Sequence, residues 1–305
     1  MPKRSSGPRI IKHGTIACDT VETTPLVWRG RLYRFEYVRP GDRHNTTGDS
    51  YLHLVDVATG QPTPPFGRGY HLASAYSTGE RVFVYAPPIW GASTLRVFWS
   101  DDLVHWDDAP ALDQPGWGIY NQAVCRDPQG YLMAIELGEP ADLVGERFTM
   151  FFARSTNLRD WTVLSPEHVY AREFYTACPA MRWIDGWYYM IYLHCEPPGF
   201  NPYLVRSRDL VHWEASPFNP IMHYEPEIDR RIANPALLTA QRAQDRAAIA
   251  VAANINNSDV DFCEFDGRVI IYYSWGNQQG IEFLAEAHYD GTEAEFLQGF
   301  FPEPE

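Results

Sequence analysis

Four carboxylates, Glu22, Glu173, Asp259 and Asp261, stand near the start of short, otherwise apolar, strand-like segments. A polar group buried at such a place is costly unless it finds a partner. Polar residues recur at five corresponding places: Glu22, Thr23 and Thr24, with Asp19 just upstream; Tyr70 and His71; Tyr120, Asn121 and Gln122; Glu173, Tyr175 and Thr176; and Asn256, Asn257, Ser258, Asp259 and Asp261. A shared ligand pocket accounts for that recurrence better than five accidents, and a water-filled tunnel is the plainer alternative. Two carboxyl groups flanking one bond suit glycosidic cleavage: one protonates the leaving oxygen and the other acts as base or nucleophile. Asp259 and Asp261 have the period-two spacing that puts both on one face of a strand. Close together they would raise the proton affinity of one of them, as an acid requires. A calcium site, a water site or a turn cap would use the same pair. Glu264 falls toward the far end of the same segment.

The neighbouring residue types suit a sugar. Asn121 and Gln122 each donate and accept hydrogen bonds, and Asn256 is a further candidate of this kind. His71 could orient a hydroxyl or bind a central cation; a satisfied structural histidine is the ordinary reading. Trp90, Trp117 and Tyr175 fall in loops where they could stack on a sugar face. Glu225, Glu227, Asp229, Arg230 and Arg231 form a charged stretch that is by default a solvated loop, or else folds over the mouth and supplies an acid.

Elements must bring these distant positions together, and a repeat supplies them. Five glycines, Gly30, Gly79, Gly130, Gly186 and Gly267, follow short apolar segments and precede aromatic or β-branched ones. The first four recur roughly every fifty residues, the spacing of propeller blades, and the last gap is wider. Asp185-Gly186 and Asp266-Gly267 are strong hairpin signals. A second repeat interleaves: Ser100 to Trp106, Ser155 to Trp161 and Ser207 to Trp213 share the pattern Ser-x-Asp/Asn-Leu-x-x-Trp. Its tryptophans read as packing anchors in preference to sugar platforms. The expectation is an all-β chain, a single domain over residues 1–305 forming a five-bladed β-propeller with a partly helical insertion, about 214–257, between the fourth and fifth blades. The insertion starts as a Pro-rich loop from Glu214 to Pro235, reads helical from Pro235 to Ala248 and ends as a strand from Ala248 to Ile255. In such a ring the first strand of each blade lines a central channel, and its starting residues converge at one mouth. The run from Ile10 to Ile16 would add a strand to the last blade, beside Phe296 to Phe301.

Composition narrows the partners. The formal charge of -14 shows no basic stripe for nucleic acid and would be repelled by an anionic membrane. Hydrophobic residues at 45% suffice for a sizeable core. Cys18, Cys125, Cys178, Cys195 and Cys263 show no metal or redox spacing and read as reduced thiols. No signal-peptide stretch follows the first residues, so a cytoplasmic location is expected. No cofactor is required, a divalent cation has room in the channel, and a homo-oligomer stays open.

The fivefold spacing, the Gly-turn strands and the Ser-x-Asp-Leu-x-x-Trp motifs together resemble the five-bladed glycoside hydrolases of families 32, 43 and 117. The stretch from Asn256 to Gly267, with Tyr273-Ser274-Trp275-Gly276-Asn277 after it, looks most like family 117. The resemblance implies a base in the first blade and further acidic residues around the channel. Glu22-Thr23-Thr24-Pro25 stands where family 43 opens its first blade with Asp-Pro, and Asn121 stands where that family has an Asp tuning the acid. The place of its acidic Glu falls near Ala177, four residues from Glu173. These departures point to a divergent branch, a different carboxylate set or lost activity. The leading expectation is an exo-acting glycoside hydrolase on an oligosaccharide. A non-catalytic carbohydrate-binding propeller is the alternative, as is a phosphorylase of similar fold, which would need a basic cluster that only Arg230-Arg231 hints at.

Overall fold

Each of the five glycines stands at the turn between the first two strands of an antiparallel group. The computed structural model describes residues 7–18, 20–40, 48–278 and 281–302, so Asp19 lies outside the described residues. After β1 (Ile11–Cys18), the first group holds β2 (Thr20–Trp28), β3 (Arg31–Val38) and β4 (Tyr51–Asp56). The second holds β5 (Ser74–Ser77), β6 (Val82–Ala86), β7 (Thr94–Ser100) and β8 (Asp107–Asp113). The third holds β9 (Gly118–Asp127), β10 (Gly130–Glu139), β11 (Thr149–Ser155) and the short β12 (Thr162–Val163) and β13 (Val169–Tyr170), with α1 (Ala141–Val144) before β11. The fourth holds β14 (Thr176–Ile184), β15 (Trp187–Glu196), β16 (Gly199–Ser207) and β17 (Trp213–Ala215). After α2 (Pro226–Asp229) and α3 (Ala243–Val251) come β18 (Asn256–Phe265), β19 (Arg268–Gly276) and β20 (Glu282–Asp290), and then α4 (Glu293–Gln298). The turns behave as their chemistry requires: Asp185 and Gly186 have φ of 49° and 82°, and Asp266 and Gly267 have 51° and 73°, which is the two-residue hairpin in which both central residues are left-handed.

Hydrogen bonds join the strands into four sheets. In the largest, the fourth and fifth groups are linked by one parallel bridge, Phe200 to Asn256. The first strands lie side by side in a closed cycle: β2 against β5, β5 against β9, β9 against β14, β14 against β18, and β18 against β2. The N-terminal strand completes the last group, since β1 pairs antiparallel with β20 from Ile11–His288 to Cys18–Phe283. Phe296 to Phe301 is not its paired neighbour. Phe296 sits in α4, and its ring lies 5.6 Å from Phe262 and 5.4 Å from Tyr289.

Apolar side chains pack between adjacent groups, and the second repeat explains how. In each copy the Ser hydroxyl accepts from the Leu amide, at 2.8 Å for Ser100–Leu103 and 2.9 Å for both Ser155–Leu158 and Ser207–Leu210. The three leucines take φ of 61° to 65° and are buried in the clusters between neighbouring groups. The tryptophans reach the preceding group: Trp106 stacks on Phe66 at 3.8 Å, Trp161 meets Tyr85 at 5.7 Å and Trp213 meets Phe152 at 5.7 Å. They are packing anchors.

The connection between the fourth and fifth groups is narrower than the sequence suggests. Glu214 and Ala215 belong to β17, and Asn256 and Asn257 to β18. Residues from Ala248 to Val251 finish α3 instead of opening a strand, which follows from the Ala-rich sequence ahead of them. Short 3-10 turns, Pro235–Leu238 and Ala240–Arg242, precede that helix. Within the charged stretch Glu225, Glu227 and Arg231 are exposed, as in a solvated loop, while Asp229 is a buried fastening. Asp229 is fully buried, 2.7 Å from the Lys12 ammonium, and accepts from Tyr273, Asn254 and Asn257. Lys12 also donates to Asn257 Oδ1 and the His223 carbonyl, both at 2.8 Å, so β1, α2 and β18 are tied at one point. No described helix is long and apolar enough to cross a membrane.

Candidate active site

At the mouth of the ring, the start of an inner strand is also where its ladder breaks. The β2–β3, β14–β15 and β18–β19 registers shift between Val21 and Thr24, Ala177 and Ala180, and Ser258 and Asp261. Within those shifts Glu22, Cys178 and Asp259 take φ of 52°, 51° and 51°, and Leu72, just before β5, takes 48°. A bulge bends the strand and re-aims one side chain out of the alternating pattern. Here that residue is turned toward the ring centre. On β9 the register shift falls opposite Ile135–Leu137, next to Tyr120 and Asn121.

The result is a cavity of about 280 Å³ lined by Glu22, Glu136 and Asp259, with Arg39, Glu282, His71 and Asn121 beside them. Tyr37, Trp90, Tyr120, Phe148 and Tyr175 supply its aromatic walls. Trp90 is half-exposed and meets Tyr120 edge-on at 5.1 Å and His71 at 6.5 Å. Glu136 comes from the second strand of its group and is only 2% exposed. Its Oε2 accepts from the Cys178 amide at 2.6 Å and from Asn121 Nδ2 at 3.0 Å. Burial outweighs those two bonds and pushes Glu136 up to about 7. Burial, and then the charge of Asp259, hold Glu22 well above the ordinary carboxylate range, against the pull of Arg39. Asp259 Oδ2 accepts from Ser258 Oγ at 3.0 Å. Arg39 and Glu282 lie 3.7 Å apart. Cys178 occupies the fourth group's place at the mouth. Burial, and then the charges of Asp259 and Glu136, raise its thiol, which keeps it neutral.

The sequence candidates divide by place. Glu22, Asp259, His71, Asn121 and Tyr175 line the mouth cavity. Gln122 lies below it, its Nε2 donating to the Leu72 carbonyl at 3.0 Å, so it ties two neighbouring groups together. Asp261 faces the channel deeper than Asp259, because the bulge between them breaks the simple alternation; it pairs with Arg182 at 3.0 Å. Glu173 is exposed in the bend before β14 and lines none of these cavities. Trp117 packs on Phe151 at 5.8 Å and does not line the mouth cavity. Asn256 is fully buried, its Nδ2 donating to Ser258 Oγ at 3.0 Å, and it supports the bulge from behind. Arg230 donates to the Ala252 carbonyl at 2.6 Å, and neither it nor Arg231 lines the cavity. Sequence reasoning missed Glu136, Arg39 and Glu282. For Glu136 there was a signal, a lone charge within the apolar run Leu132 to Leu137. Among the described residues no group of three or more His, Cys, Asp or Glu side chains is arranged to hold a metal ion.

No protein-family model matches the sequence, and no curated protein matches it. Solved structures do share its fold. A complex of BT0996 with RGII superposes with a TM-score of 0.62 at 14% identity, covering 98% of this protein and 96% of that one. A protein described as a glycoside hydrolase gives 0.60 at 14% identity over the same shares. The family 43 protein BlXynB from Bacillus licheniformis gives 0.58 at 12% identity, covering 91% of this protein and 54% of its own length. At these identities the likeness establishes the architecture: a β-propeller of the kind that family 43 glycoside hydrolases use.

Proposed function

We propose that the protein is a five-bladed β-propeller glycoside hydrolase that releases a terminal sugar from an oligosaccharide by single displacement. The observation that carries this reading is the set Glu22, Glu136 and Asp259: carboxylates from three strand groups, close enough to perturb one another, in one aromatic-walled cavity. Glycosidic cleavage needs one carboxyl that keeps its proton at working pH and one that accepts a proton. Glu136, near neutrality and lining only the mouth, is the acid for the leaving oxygen. Asp259, reaching from the mouth toward the channel axis, takes the proton of the attacking water, with Glu22 beside it. The water oxygen bonds to the anomeric carbon as the glycosidic bond breaks, and Glu136 transfers its proton to the departing oxygen. Below this cavity the channel narrows to about 30 Å³, too small for a sugar. A cavity closed off below suits the end of a sugar chain, which supports exo action. The five blades are the five antiparallel groups, whose first strands close into a ring.

The test is release of product from a panel of aryl glycosides and arabino- or neoagaro-oligosaccharides. Turnover by the parent protein is expected, with a loss of about a thousand-fold or more in Asp259→Asn. A second reading, a non-catalytic sugar-binding propeller, is favoured by Cys178 standing where a fourth-blade carboxylate would serve. Calorimetric sugar binding without turnover would select it. Turnover that requires inorganic phosphate would select a phosphorylase.

A further inference from the structure

Three cavities follow one another along the axis of the inner strands. The mouth cavity and the narrow one below it share Glu22, Asn121, Cys178 and Asp259. The narrow one and a third, of about 360 Å³, share Thr24, Ser74 and Asp261. The third is lined by residues near the ends of the inner strands, Val27, Ser77, Arg126, Trp183 and Glu264 among them. Arg126 and Glu264 are exposed, so it reaches solvent at the end opposite the mouth.

The narrow cavity, about 30 Å³, is the size of one water. Its walls carry three buried polar atoms, Glu22 Oε2, Thr23 Oγ1 and Gln122 Oε1, without a hydrogen-bond partner among the described residues. A water-sized space surrounded by several unsatisfied polar groups is where ordered water belongs. The acid Glu136 lines only the mouth, whereas Glu22 and Asp259 line both the mouth and this waist. A sugar filling the mouth would narrow the direct path from solvent, and the waist beneath it offers the attacking water a second approach.

We propose that the waist holds the hydrolytic water and that the far cavity resupplies it, so that substrate and water reach the site from opposite ends of the propeller. The proposal rests on the hydrolase reading above. The step is the one already written: the water oxygen goes to the anomeric carbon, one water proton to Asp259, and the proton of Glu136 to the leaving oxygen. Water is the only co-reactant.

Ser74 faces the waist and the far cavity but not the mouth, and is a place to plug the route. Ser74→Leu is expected to lower kcat on an aryl glycoside about ten-fold while KM and the product-sugar Kd change less than about two-fold. Ser74→Ala, which adds no bulk, should lower kcat far less than Ser74→Leu. A crystal of the parent protein soaked with product sugar should show ordered water within reach of Glu22 Oε2, Thr23 Oγ1 and Gln122 Oε1. A plugged variant that turns over at the parental rate would overturn the route while leaving the hydrolase reading intact. Absence of that ordered water in the parent crystal would overturn it independently of any variant. A parent that binds sugar and hydrolyses nothing would overturn both readings.

Discussion

Glu136 is the residue whose chemistry depends most on its surroundings. An ordinary carboxylate is ionised well below neutrality, but this one is held near 7 by burial. In the proposed role of general acid Glu136 works only while protonated, so activity should fall as pH rises through about 7. Glu136→Gln should remove that alkaline limb. It should also slow substrates with poor leaving groups far more than nitrophenyl glycosides, whose departing oxygen needs little protonation. The same group bears on stability with a definite sign. Its proton affinity is higher in the folded chain than in the unfolded one, so its contribution is fully present below the ordinary carboxylate range and is lost as pH rises toward 7. Glu136→Gln should therefore raise Tm at pH 8 and leave it nearly unchanged at pH 4, as differential scanning calorimetry would show. A lower Tm at pH 8 would mean that the carboxylate is stabilised by its neighbours and not strained by them.

Strands and turns do two kinds of work here. Most of their length makes regular ladders and inter-group packing, while a bulge at the start of β2, β14 and β18 gives up local pairing to aim one side chain inward. Left-handed backbone at Glu22, Cys178 and Asp259 is the conformational cost of that aim, about 1–3 kcal/mol each. The helical connection serves a different end. Its Asp229 is fully buried against Lys12 of β1, and three further side chains hydrogen-bond to the same carboxylate. Burial lowers the proton affinity of Lys12, and the charge of Asp229 works against it. Removing one partner strands the other charge, so Lys12→Met should cost about 3–5 kcal/mol in urea denaturation. The paired change Lys12→Met with Asp229→Leu should recover much of that loss. A single variant as stable as the parent would show that the fastening contributes nothing.

Across the whole molecule the packing is uneven around the ring. Large apolar clusters fill the junctions from the first group through to the fifth. The cluster at the last junction consists of Ile16, Tyr272 and Leu284. There the first group meets the fifth through polar and aromatic contacts, with Arg34 between Glu36 and the Tyr272 ring, and a groove of about 590 Å³ runs alongside. A closed ring opens where least apolar area is buried. Amide hydrogen exchange should therefore be faster in β1 and β4 than in β10 and β15. Uniform protection would show that ring closure makes every junction equivalent.

Much of this was legible in the chain itself. The glycine turns and the Ser-x-Asp/Asn-Leu-x-x-Trp loops are local devices, governed by one or two left-handed residues and by hydrogen bonds spanning two or three positions, so their spacing marks the strand groups without knowledge of the rest. Polar residues at strand starts pointed to Glu22, His71, Asn121, Tyr175 and Asp259 for the same reason, since apolar strands tolerate them only at a shared opening. What local pattern does not carry is depth and direction across the ring. The bulges separate Asp259 from Asp261 and send the latter to Arg182, and the bend before β14 leaves Glu173 in solvent. Glu136 and Arg39 reach the mouth from residues that follow their glycine turns, where no rule based on strand starts would look. The sequence determined which residues can form a ring of strands and hold polar groups at its centre. Only the tertiary structure decided which carboxylates share one cavity, because proton affinities are shifted by burial and by charges brought close from distant parts of the chain.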